Sequence, residues 1–115
     1  MKLMLEQEDE KALHFALDLG AMLPLFQPVL QETMESWTPD EPLPTVLLGD
    51  LGSAFARGFL FLNIEAQGRV LDRIEEGVAV PGDDYLGTAV STGFLEEVIH
   101  RSERDGTWPT IRLAL

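Results

Sequence analysis

Residues 45–62 read TVLLGDLGSAFARGFLFL. Leu48, Leu51, Phe55, Phe59 and Leu62 recur at steps of three and four, the repeat of a helix with one buried face. Leu47, Ala54 and Phe61 widen that stripe, so this helix is expected to be central. Gly49, Gly52 and Gly58 each lower its helix propensity, by roughly 1 kcal/mol relative to Ala. The compensation expected is close approach of a neighbouring helix or loop; a kink is the alternative.

Working outward, Thr38–Pro44 (TPDEPLP) carries three prolines and reads as a loop. Ahead of it, Pro24 and Pro28 mark the start of a helix running from about Pro28 to Trp37, because proline is tolerated only in a first turn. Val29, Leu30, Met34 and Trp37 give it an apolar side. A first helix is predicted over Glu8–Leu19, with Gln7, Lys11, His14 and Asp18 on its polar face and Gly20 ending it. Downstream, Asn63 is a capping residue for a fourth helix, Ile64 to about Val78, whose apolar face is Ile64, Leu71, Ile74 and Val78. Val80–Asp83 reads as a turn, with Asp83 or Asp84 as the next cap. A fifth helix follows to about Arg104, with Leu86, Val90, Phe94 and Val98 inward, Leu95 and Ile99 beside them, and Gly106 as its stop. The apolar tail Trp108–Leu115 is expected to pack on the bundle, as a short helix or extended. Alternation of the kind that marks a half-buried strand is sustained nowhere. The expectation is an all-α single domain over residues 1–115: a compact bundle of about five helices, or a short HEAT-like stack of antiparallel hairpins built from the last three.

The charge is strongly asymmetric. Twenty Asp and Glu stand against eight Lys and Arg, a net charge of −12. Binding to DNA or RNA needs clustered cations, and adsorption to an anionic membrane needs the same, so both are disfavoured. No apolar run approaches a membrane span and the N-terminus turns acidic after five residues, which leads to the expectation of a cytoplasmic protein. With no cysteine, disulfides, zinc–thiolate sites and cysteine nucleophiles are excluded.

No catalytic constellation is visible, so no enzymatic activity and no cofactor are expected. His14 has Asp18 at i+4, but Lys11 lies on the same polar face and a surface ion pair is the better reading than a metal site. Glu-x-x-His does not occur, and there is no phosphate-binding glycine loop. Acidic residues fall into two kinds. In the last two long helices they are interleaved with arginine, with Glu65–Arg69, Arg69–Asp72 and Glu97–Arg101 at pairing distance along the helix. From Ala12 to Ala56 there is no Lys or Arg at all, yet Asp18, Glu32, Glu35, Asp40, Glu41 and Asp50 fall there. Solubility explains such a surface blandly. The functional reading is a docking face for a basic protein, with Glu32, Glu35, Asp40 and Glu41 as contacts and Trp37 either an anchor or a core residue at the bundle end.

Three segments carry a resemblance: Leu43–Leu51 (LPTVLLGDL), Gly82–Leu86 (GDDYL) and Val90–Glu96 (VSTGFLE). In this order the chain resembles a family of small, acidic, all-helical bacterial proteins regarded as immunity proteins of interbacterial, contact-dependent toxin systems. The resemblance implies a non-catalytic inhibitor that binds a cognate toxin with a basic surface, such as a nuclease, as a monomer or homodimer. The family pattern has no catalytic residues to transfer. The competing expectation is a structural or adaptor module, self-associating through apolar surface left over from the third helix or around Trp108.

Overall fold

A computed structural model describes the backbone of residues 4–79 and 84–114, and the side chains of 8–79 and 85–114. Its helices are α1 (Met4–Gly20), α2 (Gln27–Trp37), α3 (Pro44–Gly58), α4 (Ile64–Val78), α5 (Asp84–Ala89), α6 (Glu96–Asp105) and α7 (Trp108–Ile111). Single 3₁₀ turns lie at Pro24–Phe26 and Phe59–Phe61, and a π-helical stretch, Val90–Leu95, joins α5 to α6 in one unbroken rod. No strand occurs among the described residues. The fold is an all-α bundle, as the period of the sequence requires. The expected turn at Val80–Asp83, with Asp83 as one of its two candidate caps, lies outside the described residues; Asp84, the other, is the first residue of α5.

The centre is α3. Leu47, Leu48, Leu51 and Phe55 are completely buried. Phe55 meets three other rings, Phe26, Phe59 and Phe94, at centroid separations of 6.4, 5.4 and 5.6 Å. α3 packs most extensively on the π stretch and α6, and then on α1 and α2. α4 packs instead on α5, the π stretch and α1, and scarcely touches its chain neighbour α3. The helices therefore gather around α3 and are not hairpins stacked in chain order, so the HEAT-like arrangement does not apply.

Gly52 of α3 has its explanation in this packing. A Cβ on Gly52 would lie 2.5 Å from the backbone oxygen of Phe94, and one on Gly93 would lie 2.9 Å from the Leu48 Cβ. At this crossing the two backbones meet with no side chain between them; Gly52 marks close approach, not a kink. The π stretch supplies the other half of the fit. Leu86, Val90, Phe94, Val98 and Ser102 are all buried and spaced strictly by four. In a straight α-helix each step of four overshoots a full turn by about 40°, so the row would wind off the core. The wider π turn takes up that excess.

Several boundaries follow from local chemistry. The Asn63 side chain accepts from the Ala66 N–H at 2.7 Å and starts α4 as expected. Gly106 adopts φ 76°, the left-handed stop of α6. The central helix ends at Gly58, not Leu62: residues 59–61 tighten to 3₁₀, and Gln67 Nε2 donates to the carbonyls of Phe59 (2.9 Å) and Leu62 (3.2 Å). As a consequence Phe61 leaves the stripe and is 91% exposed. Helix α4 is also rotated from expectation. It buries Ala66, Val70, Ile74 and Gly77, and leaves Ile64 86% and Val78 42% exposed. Small residues on that face let it close on α1: a Cβ at Gly77 would meet the Phe15 ring at 2.6 Å. The tail does pack, through fully buried Ile111 in α7 and half-buried Trp108.

Candidate functional site

The residues of interest are set by how α2 lies on α3. Positions 29, 32, 33, 36 and 37 share one side of α2, and 46, 50, 53 and 57 share one side of α3, each at helical spacing. Between them runs an open groove of about 360 Å³, lined by Val29, Glu32, Thr33, Ser36, Trp37, Val46, Asp50, Ser53 and Arg57. Its walls are joined by one hydrogen bond: buried Thr33 donates its hydroxyl to Asp50 Oδ2 at 2.7 Å. Trp37 is half-buried, its ring forming part of the wall. Val29 and Val46 make the apolar contribution, and Ser36 and Ser53 add hydroxyls.

The structure brings two of the five sequence-predicted residues, Glu32 and Trp37, into this groove and places the other three elsewhere. Glu35 is exposed on α2 and accepts a hydrogen bond from Gln31 at 3.1 Å. Asp40 stands exposed in the loop after α2. Glu41 borders a separate crevice of about 260 Å³ between that loop and α1, with Asp9, Glu10, Leu13 and Pro42–Pro44. Asp9 there accepts from the Tyr85 hydroxyl. Glu32, Asp40 and Glu41 form no ion pair with any described residue.

Two groove residues escape a linear reading. Asp50 adds a carboxylate, and Arg57 places a cation in a face that looked uncompensated along the chain. Their signal is the polar row 50, 53, 57 running up an otherwise apolar helix. Arg57 lies within the same groove as Glu32 and Asp50 but makes no ion pair with a described residue.

The interleaved charges also differ from expectation. Arg73 reaches across to Asp18 of α1 at 3.7 Å, binds Glu76 at 3.0 Å and covers the Phe15 ring at 4.6 Å. Arg101 pairs with Asp105 at 3.1 Å, not with Glu97. Neither Glu65–Arg69 nor Arg69–Asp72 closes, and no ion pair joins His14 to Asp18.

Chemically, the groove offers two carboxylates, serine hydroxyls and an aromatic side chain, with Arg57 as a cation in the same lining. Neither histidine lines it. Among the described residues no three His, Cys, Asp or Glu converge as a metal site would require. No helix there is long and apolar enough to cross a membrane. No protein family, curated protein or solved structure matches the chain.

Proposed function

We propose that the protein is a non-catalytic immunity protein that neutralises a cognate toxin by binding a basic surface on it. The observation that carries this reading is the α2–α3 groove, whose lining includes Glu32, Asp50 and half-buried Trp37, with exposed Glu35 on α2 and Asp40 in the loop after it. A half-buried tryptophan sharing a groove with two carboxylates, on a chain of net charge −12, combines the two ingredients of a charged interface: an aromatic anchor that is desolvated on contact and a field that accelerates encounter. The resemblance of segments 43–51 and 90–96 to immunity proteins supports the same reading. Inhibition then requires only occupancy of the toxin, with no chemistry by this chain. Reversing Glu32, Glu35, Asp40 and Glu41 to Lys is expected to weaken the complex with the toxin encoded beside this gene by roughly a hundredfold or more. Unchanged affinity would remove this face from the account.

A second reading has a specific observation behind it. Leu60, Phe61 and Ile64 are 55%, 91% and 86% exposed and follow closely along the α3–α4 connection. Isolated exposed apolar residues are ordinary, but a cluster is a common mark of association. Self-association as an adaptor or homodimer would place this knuckle at the interface. Light scattering over a concentration range, repeated on Phe61→Ser, separates a dimer from a monomeric inhibitor.

A further inference from the structure

The two helices flanking the Val80–Asp83 segment do not stay together along their length. α4 packs on α5 and on the π stretch but scarcely touches α6. The divergence leaves an open cleft of about 510 Å³, lined by Leu71, Asp72, Ile74, Glu75, Val78, Ala79, Leu95, Ile99 and Ala114. Leu71, Leu95 and Ile99 are half-buried and Val78 is 42% exposed, so much of an apolar floor is left to water. None of the lining residues belongs to the α2–α3 groove.

The charge around that floor is one-sided. Asp72 and Glu75 both line the cleft, both are exposed, and neither forms an ion pair with a described residue. Among the described residues no Lys or Arg lines it. An apolar trough between two helices, bordered by free carboxylates, has the complement of an amphipathic helix whose apolar face is flanked by Lys or Arg. A second copy of this chain fits poorly, because it would bring its own charge of −12 against the same carboxylates. We infer that the α4–α6 cleft is a docking site for a basic amphipathic helix of a partner protein. The cleft supplies apolar contact along Leu71, Val78, Leu95 and Ile99, and Asp72 and Glu75 set the orientation. This inference is independent of the toxin-binding reading, since it uses other residues.

The test uses a dye-labelled synthetic peptide of Leu and Lys, about four helical turns long, patterned to give one apolar face. Fluorescence anisotropy against the full chain is expected to show saturable binding. A peptide of the same composition, scrambled so that no apolar face forms, should bind at least about tenfold more weakly. Val78→Arg and the double variant Asp72→Lys/Glu75→Lys change exposed side chains only, and each should lower affinity by about tenfold or more. Asp18→Lys/Glu65→Lys removes equal charge at exposed positions that line neither the cleft nor the α2–α3 groove, and should leave affinity within about twofold. Three results would overturn the inference: no binding of the patterned peptide, equal binding of the scrambled one, or equal losses in all the charge variants, which would mean attraction to net charge alone. Failure here leaves the α2–α3 reading standing, and charge reversal at Glu32, Glu35, Asp40 and Glu41 tests that one separately.

Discussion

The two flanks of α3 obey different rules. One lies against the π stretch and α6 and is so close that Gly52 and Gly93 have no room for a methyl group. The other opens on α2 and carries Asp50, Ser53 and Arg57 in a groove accessible to water. On the first flank shape decides the residue, because a displaced backbone has nowhere to go in a densely packed interior. On the second, the side chains that face the groove are open to water, and apart from the Thr33–Asp50 hydrogen bond the packing asks little of them. A single helix thus separates what the fold requires from what is available for recognition.

That contrast can be broken at several points. Phe55→Ala removes the ring at the centre of the aromatic cluster and is expected to cost about 4 kcal/mol in urea unfolding. A loss below about 1 kcal/mol would mean that the core is not organised around α3. Gly52→Ala should cost about 2 kcal/mol despite the better helix propensity of alanine, because the new methyl meets the Phe94 carbonyl. Asp50→Ala tests the seam between the flanks. It leaves the buried Thr33 hydroxyl without its acceptor, an expected loss of about 1–2 kcal/mol, whereas Asp50→Asn retains an acceptor and should recover most of it. Gly68 of α4, by contrast, has open space where a methyl group would sit, with no neighbouring atom within 4 Å. Gly68→Ala should therefore stabilise by about 0.8 kcal/mol, seen as a higher urea midpoint. Smallest of all, Glu32→Lys should move stability by less than about 0.5 kcal/mol while weakening the partner complex. A large stability change there would make Glu32 a structural residue.

The sequence was most legible where a feature is local. Asn63 and Gly106 announce helix ends by their own chemistry, and the stripe Leu48, Leu51, Phe55, Phe59 identifies the central helix by its period. It was misleading where burial depends on a partner. Ile64 and Val78 are among the larger apolar residues of α4, but the helix turns its small face, with Gly77, toward Phe15. Phe61 continues the stripe of α3 only if the helix continues, and Gln67, eight residues from Phe59, caps the carbonyls where it stops. The π stretch did leave a signal, the strict spacing by four from Leu86 to Ser102. Of the candidate site, Glu32 and Trp37 were legible from the stretch without Lys or Arg in which they fall, whereas Asp50 and Arg57 join them only through the packing of α2 on α3.

The most direct test of the central claim is co-purification with the product of the gene immediately upstream, at low and at high salt. The account predicts a stable complex that weakens as salt rises, because screening reduces the attraction of the acidic face. No complex at either salt, or one indifferent to salt, would contradict it.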